Sequence, residues 1–141
     1  MTVRKDRPPL VCPVVTSVDI AWVCVATSDP NPLHLDRDFA NETRGYKDVV
    51  APGTMLIGWI GEYLGDWAGG PENVANWSIR FTSPVWPKDQ ITISGREINR
   101  VDLGRDTEIS CEVTAAKVGG GEIVARASAT LRIPFNDLIS D

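Results

Sequence analysis

Thr54-Met55-Leu56-Ile57-Gly58-Trp59-Ile60-Gly61-Glu62-Tyr63-Leu64-Gly65-Asp66-Trp67 reads as one helix with apolar side chains on almost every side. Such a helix has no face suited to water, so it predicts a buried spine. Gly58, Gly61 and Gly65 each disfavour a helix by about 1 kcal/mol relative to Ala. Their spacing of three and four sets them near one stripe, and close packing against a sheet is the expected use of that stripe. Room for a ligand along the helix is the other use. Ala68-Gly69-Gly70-Pro71 then stops the helix.

Downstream of this spine the pattern changes to period two. Trp77, Ile79 and Phe81 alternate with polar residues, as do Ile91 and Ile93. Ile109, Cys111, Val113 and Ala115 form a third alternation; Ile123, Ala125, Ala127, Ala129, Leu131 and Ile133 form a fourth. Four strands with one apolar and one polar face fit an antiparallel sheet covering a core on one side. Gly119-Gly120-Gly121 suits a hairpin turn, and Pro84 and Pro87 mark a break with Trp86 between them. Upstream, Leu10 to Val15 is a short strand whose Pro13 suits a sheet edge. Thr16 or Ser17 can cap a helix running to about Ala26, with Ile20, Val23 and Cys24 on its apolar face. Asp36 can cap a shorter helix from about Arg37 to Thr43, ended by Gly45. The fold class is therefore α+β, a long central helix wrapped by an antiparallel sheet.

Between the two upstream helices lies Ser28-Asp29-Pro30-Asn31-Pro32-Leu33-His34-Leu35-Asp36, which holds the chain's only histidine. Histidine titrates nearest neutrality and serves as proton donor or acceptor. A carboxylate five residues before it can orient it or act as the second acid/base group. The two prolines fix φ and push Asp29 and Asn31 toward extended geometry. A stiff, non-helical loop aiming Asp29 and His34 at one point is one reading; a turn that caps the next helix is the other.

The whole chain is 141 residues with a net charge of −5, 43% apolar and 23% charged. That suits one soluble domain spanning 1–141, with 1–9 as a flexible N-terminal segment. No basic run favours nucleic acid. Cys12, Cys24 and Cys111 are widely spaced, and one histidine supports no His-rich metal site, so no metal is expected and the thiols are expected to be buried and free. The N-terminus lacks the apolar region of a signal peptide and no run reaches membrane-spanning length, so the expected location is the cytoplasm, away from the membrane.

The Asp29–Asp36 segment resembles the hydratase-2 signature of the MaoC-like, (R)-specific enoyl-CoA hydratase family: Asp, any residue, Asn, Pro, aliphatic, His, any residue, Asp. Val49-Val50-Ala51-Pro52-Gly53-Thr54-Met55-Leu56 resembles that family's turn into its central helix. The resemblance runs from about residue 10 to the C-terminus and implies a hot-dog fold. It implies hydration of trans-2-enoyl thioesters, or the reverse dehydration. Asp29 and His34 would hold the catalytic water, and Asn31 would orient it or close an Asx turn. The Gly53 N–H would bind the developing enolate oxygen, or Gly53 would only permit the turn after Pro52. No cofactor is implied; coenzyme A or an acyl carrier protein would carry the acyl thioester. Arg80, Lys88, Arg96 and Arg100 could meet carrier phosphates but read first as surface residues. A homodimer is implied, or a heterodimer with a second MaoC-like chain. Two departures stand out: Pro52-Gly53-Thr54 where many members carry His-Gly-Met, and Gly58 where some carry serine. The competing functions are a subunit of a heteromeric hydratase and an acyl-CoA thioesterase.

Overall fold

The computed structural model describes residues 7–135. In chain order the elements are β1 (Leu10–Val11), α1 (Ser17–Thr27), α2 (Arg37–Arg44), α3 (Gly53–Ala68), β2 (Val74–Phe81), β3 (Ile91–Asp102), β4 (Asp106–Lys117) and β5 (Ile123–Pro134). One five-stranded antiparallel sheet has the order β1-β3-β4-β5-β2, which leaves β1 and β2 as its edges. The expected α+β architecture, a central helix against an antiparallel sheet, is what the chain adopts.

Local chemistry sets the helix boundaries. Thr16 caps α1 through a reciprocal box: its hydroxyl accepts from the Asp19 N–H, and the Asp19 carboxylate accepts from the Thr16 N–H. Asp36 accepts from the Phe39 N–H and starts α2, which Gly45 ends at φ +65°. Pro52 starts α3 without any side-chain cap, so the first N–H groups of this helix are left without the acceptor that α1 and α2 receive. Pro13, which has no N–H, holds β1 to two residues, shorter than the expected Leu10–Val15.

The core lies between α3 and the inner face of the sheet. Ile60, Tyr63 and Leu64 of α3 meet Ile91, Ile93, Ile109, Val113, Leu131 and Ile133, all fully buried or nearly so. Alternation along β4 and β5 is as read from the sequence. It slips near Val124, where a bulge opposite Ala115 and Ala116 buries two successive residues, Val124 and Ala125.

The glycine stripe departs from expectation. A methyl group added at Gly58 would meet nothing within 4 Å; at Gly61 it would touch Trp77 at an ordinary 3.8 Å, and at Gly65 Pro71 at 3.6 Å. The close approach is made from the sheet side instead. Gly95 of β3 receives the Trp67 and Tyr63 rings, and a Cβ there would lie 2.5 Å from Trp67. Nor is α3 enclosed all round: Ile57 is half-exposed and Gly58 faces open space, because α1 lies beside α3 with a cleft between them. Gly58→Ala is accordingly expected to stabilise the fold by about 1 kcal/mol, read as a higher midpoint in urea at unchanged slope.

Residues 1–6 of the expected flexible segment 1–9 lie outside the described residues. Within that segment Arg7 is tied down: it pairs with Asp66 at 2.7 Å, and its carbonyl accepts from the Tyr63 hydroxyl at 3.2 Å.

All three cysteines are buried and free. Burial, helped by Glu62, pushes the Cys12 thiol up to about 11. Burial and then Glu97 push Cys111 up to about 11, and burial followed by Asp29 raises Cys24. The thiolate is the reactive form. A chromogenic disulfide reagent at pH 8 is therefore expected to label no thiol in the folded protein and all three in denaturant.

Candidate active site

Asp29 and His34 come together where α1 ends. Ser28 takes a left-handed conformation, φ 52°, which turns the chain out of α1, and the Asp29 N–H is held by the Cys24 carbonyl at 2.9 Å. Asp29 Oδ1 accepts from the Asn31 N–H at 3.2 Å, and its Oδ2 lies 3.5 Å from His34 Nε2. The histidine side chain is mostly buried, and the aspartate side chain is about a third exposed. The pair is thus open on one side to solvent or substrate.

The loop is not wholly non-helical, contrary to expectation. Pro32–His34 form one turn of 3-10 helix. Asn31 Oδ1 accepts from the Leu33 N–H at 3.0 Å and Pro32 supplies a helix-ready φ, so the turn is capped and pre-set. The asparagine oxygen is therefore engaged in an Asx-type turn, the second of the two roles read from the sequence.

The other ring nitrogen fixes the histidine. His34 Nδ1 lies 2.6 Å from the Val50 carbonyl. A carbonyl only accepts, so Nδ1 carries the hydrogen, and in the neutral ring the lone pair sits on Nε2 facing Asp29. The Val50 N–H in turn donates to the Leu33 carbonyl at 3.2 Å. The histidine loop and the segment leading into α3 are stitched together by both groups of one residue.

Three residues beyond Val50 stands Gly53, the first residue of α3. Its N–H is one of the donors that Pro52 leaves uncapped, and the helix dipole adds partial positive charge there. The Phe81 ring, on edge strand β2, covers Gly53 so closely that a Cβ would fall 2.7 Å from it. Sequence reasoning missed Phe81 and Val50; neither contact has a local signal. Two concavities adjoin this turn. One, about 390 Å³, is lined by Tyr46, Ala51, Gly53, Phe81, Thr82 and Ser83. The other is the cleft of about 540 Å³ between α1 and α3, lined by Val15, Trp22, Val23, Met55, Gly58 and Trp59.

A carboxylate and an imidazole at this separation, beside an uncapped helix N-terminus, can exchange protons with a bound water and hold an oxyanion. The fold that carries them is the hot-dog fold. Residues 5–119 match the family model described as MaoC like domain, and the chain belongs to that family. It is 25% identical over 133 residues to the (R)-specific enoyl-CoA hydratase of Rhodospirillum rubrum, covering 94% of this chain and 89% of that protein. Among solved structures it is similar to a chain of the ChsH1-ChsH2 complex from Mycobacterium tuberculosis, with a TM-score of 0.75, 25% identity, and 91% and 94% of the two chains covered. The (R)-hydratase from A. caviae involved in PHA biosynthesis shares the fold, with a TM-score of 0.76, 20% identity, and 93% and 97% covered. No helix among the described residues is long and apolar enough to cross a membrane.

Proposed function

We propose that the chain catalyses (R)-specific hydration of trans-2-enoyl thioesters, or dehydration of the matching 3-hydroxyacyl thioesters. The observation that carries this reading is the His34 Nε2 to Asp29 Oδ2 separation of 3.5 Å, with Nδ1 committed to the Val50 carbonyl. In the hydration direction a water is bound on the open side of the pair, within hydrogen-bond reach of both groups. Its oxygen bonds to C3 as the pair removes one proton, and a proton is delivered to C2, so the pair returns to its starting state. Both groups reach the same water, so the acid and base roles are assigned to the pair. The electrons of the double bond pass to the thioester oxygen, where the Gly53 N–H receives the developing charge. The acyl group lies along the α1–α3 cleft, where Gly58 leaves space. The carrier is coenzyme A or an acyl carrier protein, and no further cofactor is used.

Loss of enoyl absorbance with a panel of trans-2-enoyl-CoAs tests the reading, with chiral analysis of the 3-hydroxyacyl product. Turnover to the (R) alcohol is expected. Release of free thiol without loss of the double bond would make the chain a thioesterase. The likeness to one chain of the ChsH1-ChsH2 complex supports a second reading, in which this chain is the Asp/His-bearing subunit of a heterodimer. Activity that appears only when a second MaoC-like chain is added would establish it over a homodimer.

A further inference from the structure

The cleft between α1 and α3 has a direction. α1 ends at Thr27 and leads straight into Asp29, while His34 is tied to Val50, just ahead of the start of α3 at Gly53. The Asp29–His34 pair and the Gly53 N–H therefore stand at one end of the cleft. From that end the α3 wall runs Thr54 and Met55, then Gly58 and Trp59, then Glu62, residues one turn apart on one helix face. Glu62 lies nine residues beyond Gly53, about 13 Å along the helix. On α1 the wall reaches from Val23 and Trp22 back to Asp19 in the first turn. Asp19 and Glu62 thus mark the end remote from the chemistry.

The middle of the cleft is apolar and unfilled. Trp22 is 68% exposed, Trp59 is only partly buried, and a Cβ at Gly58 would meet nothing within 4 Å. The volume of about 540 Å³ holds roughly 18 water-sized groups at about 30 Å³ each, far more than the carbons of a crotonyl group. The remote end is charged, and with one sign only. Among the described residues that line the cleft, Asp19 and Glu62 are the ionisable ones; no lysine, arginine or histidine joins them. Asp19 cannot swing away, because its carboxylate accepts from the Thr16 N–H at 3.0 Å and from the Thr16 hydroxyl at 2.6 Å. Arg7, near the C-terminal end of α3, is engaged by Asp66 at 2.7 Å. A carboxylate brought to this end would meet two like charges beside apolar walls, and both repulsion and lost hydration oppose it.

We infer that the cleft selects acyl groups with a long or bulky, uncharged tail, and that Glu62, together with Asp19, turns away tails that end in a carboxylate. The inference rests on the hydratase reading, which lays the acyl group in this cleft. Volume and indole walls favour an apolar tail, and like charge at the remote end supplies the rejection. Glu62 is the residue to vary, since Asp19 also caps α1.

The test uses two coenzyme A thioesters of trans-2-dodecenedioic acid, one with a free ω-carboxylate and one with that carboxylate methylated. The ratio of kcat/KM, ester over acid, is measured in wild type, Glu62→Gln and Glu62→Lys. A ratio of at least about tenfold is expected in wild type, about threefold in Glu62→Gln, and a preference for the acid in Glu62→Lys. Raising salt to about 1 M, where the screening length falls to about 3 Å, is expected to narrow the wild-type gap. Octanol and octanoate are titrated separately by calorimetry. Hydration of both thioesters at equal kcat/KM, or a ratio that Glu62→Lys leaves unmoved, overturns the selection and leaves the hydratase reading intact. A wild type that hydrates neither thioester but binds octanol over octanoate, with the preference reversed in Glu62→Lys, overturns the hydratase reading and keeps the selection. Hydration of neither thioester and no binding of either octyl probe overturns both.

Discussion

Asp29→Asn is expected to lower enoyl-CoA turnover at least ~100-fold without changing the fold, and His34→Ala to match it. The asparagine variant is the sharper of the two. It keeps the size of the side chain and an oxygen for the Asn31 N–H, and it removes only the charge and the proton-accepting ability of Oδ2. A loss of activity at unchanged thermal midpoint therefore measures proton handling alone. His34→Ala also leaves the Val50 carbonyl without its 2.6 Å partner, so part of its effect reaches the turn before α3. If the pair acts as a unit, the double variant falls no further than either single one. Retention of more than about a tenth of the activity in Asp29→Asn would remove Asp29 from the chemistry.

The second large effect concerns stability. Gly95→Val is expected to destabilise the protein by about 3 kcal/mol or more, a fall in midpoint of roughly 10 °C. A Cβ at Gly95 lies 2.5 Å from the Trp67 ring and 3.0 Å from Tyr63, and both rings are buried between α3 and the sheet. Tyr63 is held by the Arg7 carbonyl, and the two rings stand edge to face at 6.0 Å, so neither can step aside alone. Gly53→Ala makes a useful contrast. Its neighbour is the far end of the half-exposed Phe81 ring, which can swing outward. That variant is expected to fold with little loss of stability and to report on the active-site turn instead. A midpoint for Gly95→Val within 2 °C of wild type would show that α3 can lift off the sheet.

The elements were legible wherever a local signal marks them. Thr16, one of the two caps read for α1, and Asp36 and Gly45 for α2 set helix ends as read, and the period-two alternation located the four long strands. What was illegible depends on register or on contacts far apart in sequence. The glycine spacing on α3 pointed to close packing there, whereas the close contact falls on Gly95, 37 residues beyond Gly58, because strand β3 passes under Trp67. β3 also runs to Asp102, past a bulge between Glu97 and Asn99 where alternation fails and Ile98 turns outward. In the site, the signature brought Asp29 and His34 to attention, yet the Val50 carbonyl that sets the tautomer has no side-chain identity to be read. Arg80 was one of four cations open to a carrier phosphate. Strand pairing sets Arg96 against Glu112 on β4, and Arg100 is taken by Glu97 on its own strand, past the bulge in β3.

Val50 also bears on how such a site can be altered or transplanted. Its carbonyl holds His34, its N–H holds Leu33, and the main chain three residues on supplies the Gly53 N–H. An insertion or deletion between Val50 and Gly53 would shift the imidazole and the helix terminus relative to each other by a residue's length, about 3 Å. The two segments therefore behave as a single module. They can be swapped between scaffolds only as a matched set, and drift in one is tolerated only when the other drifts with it.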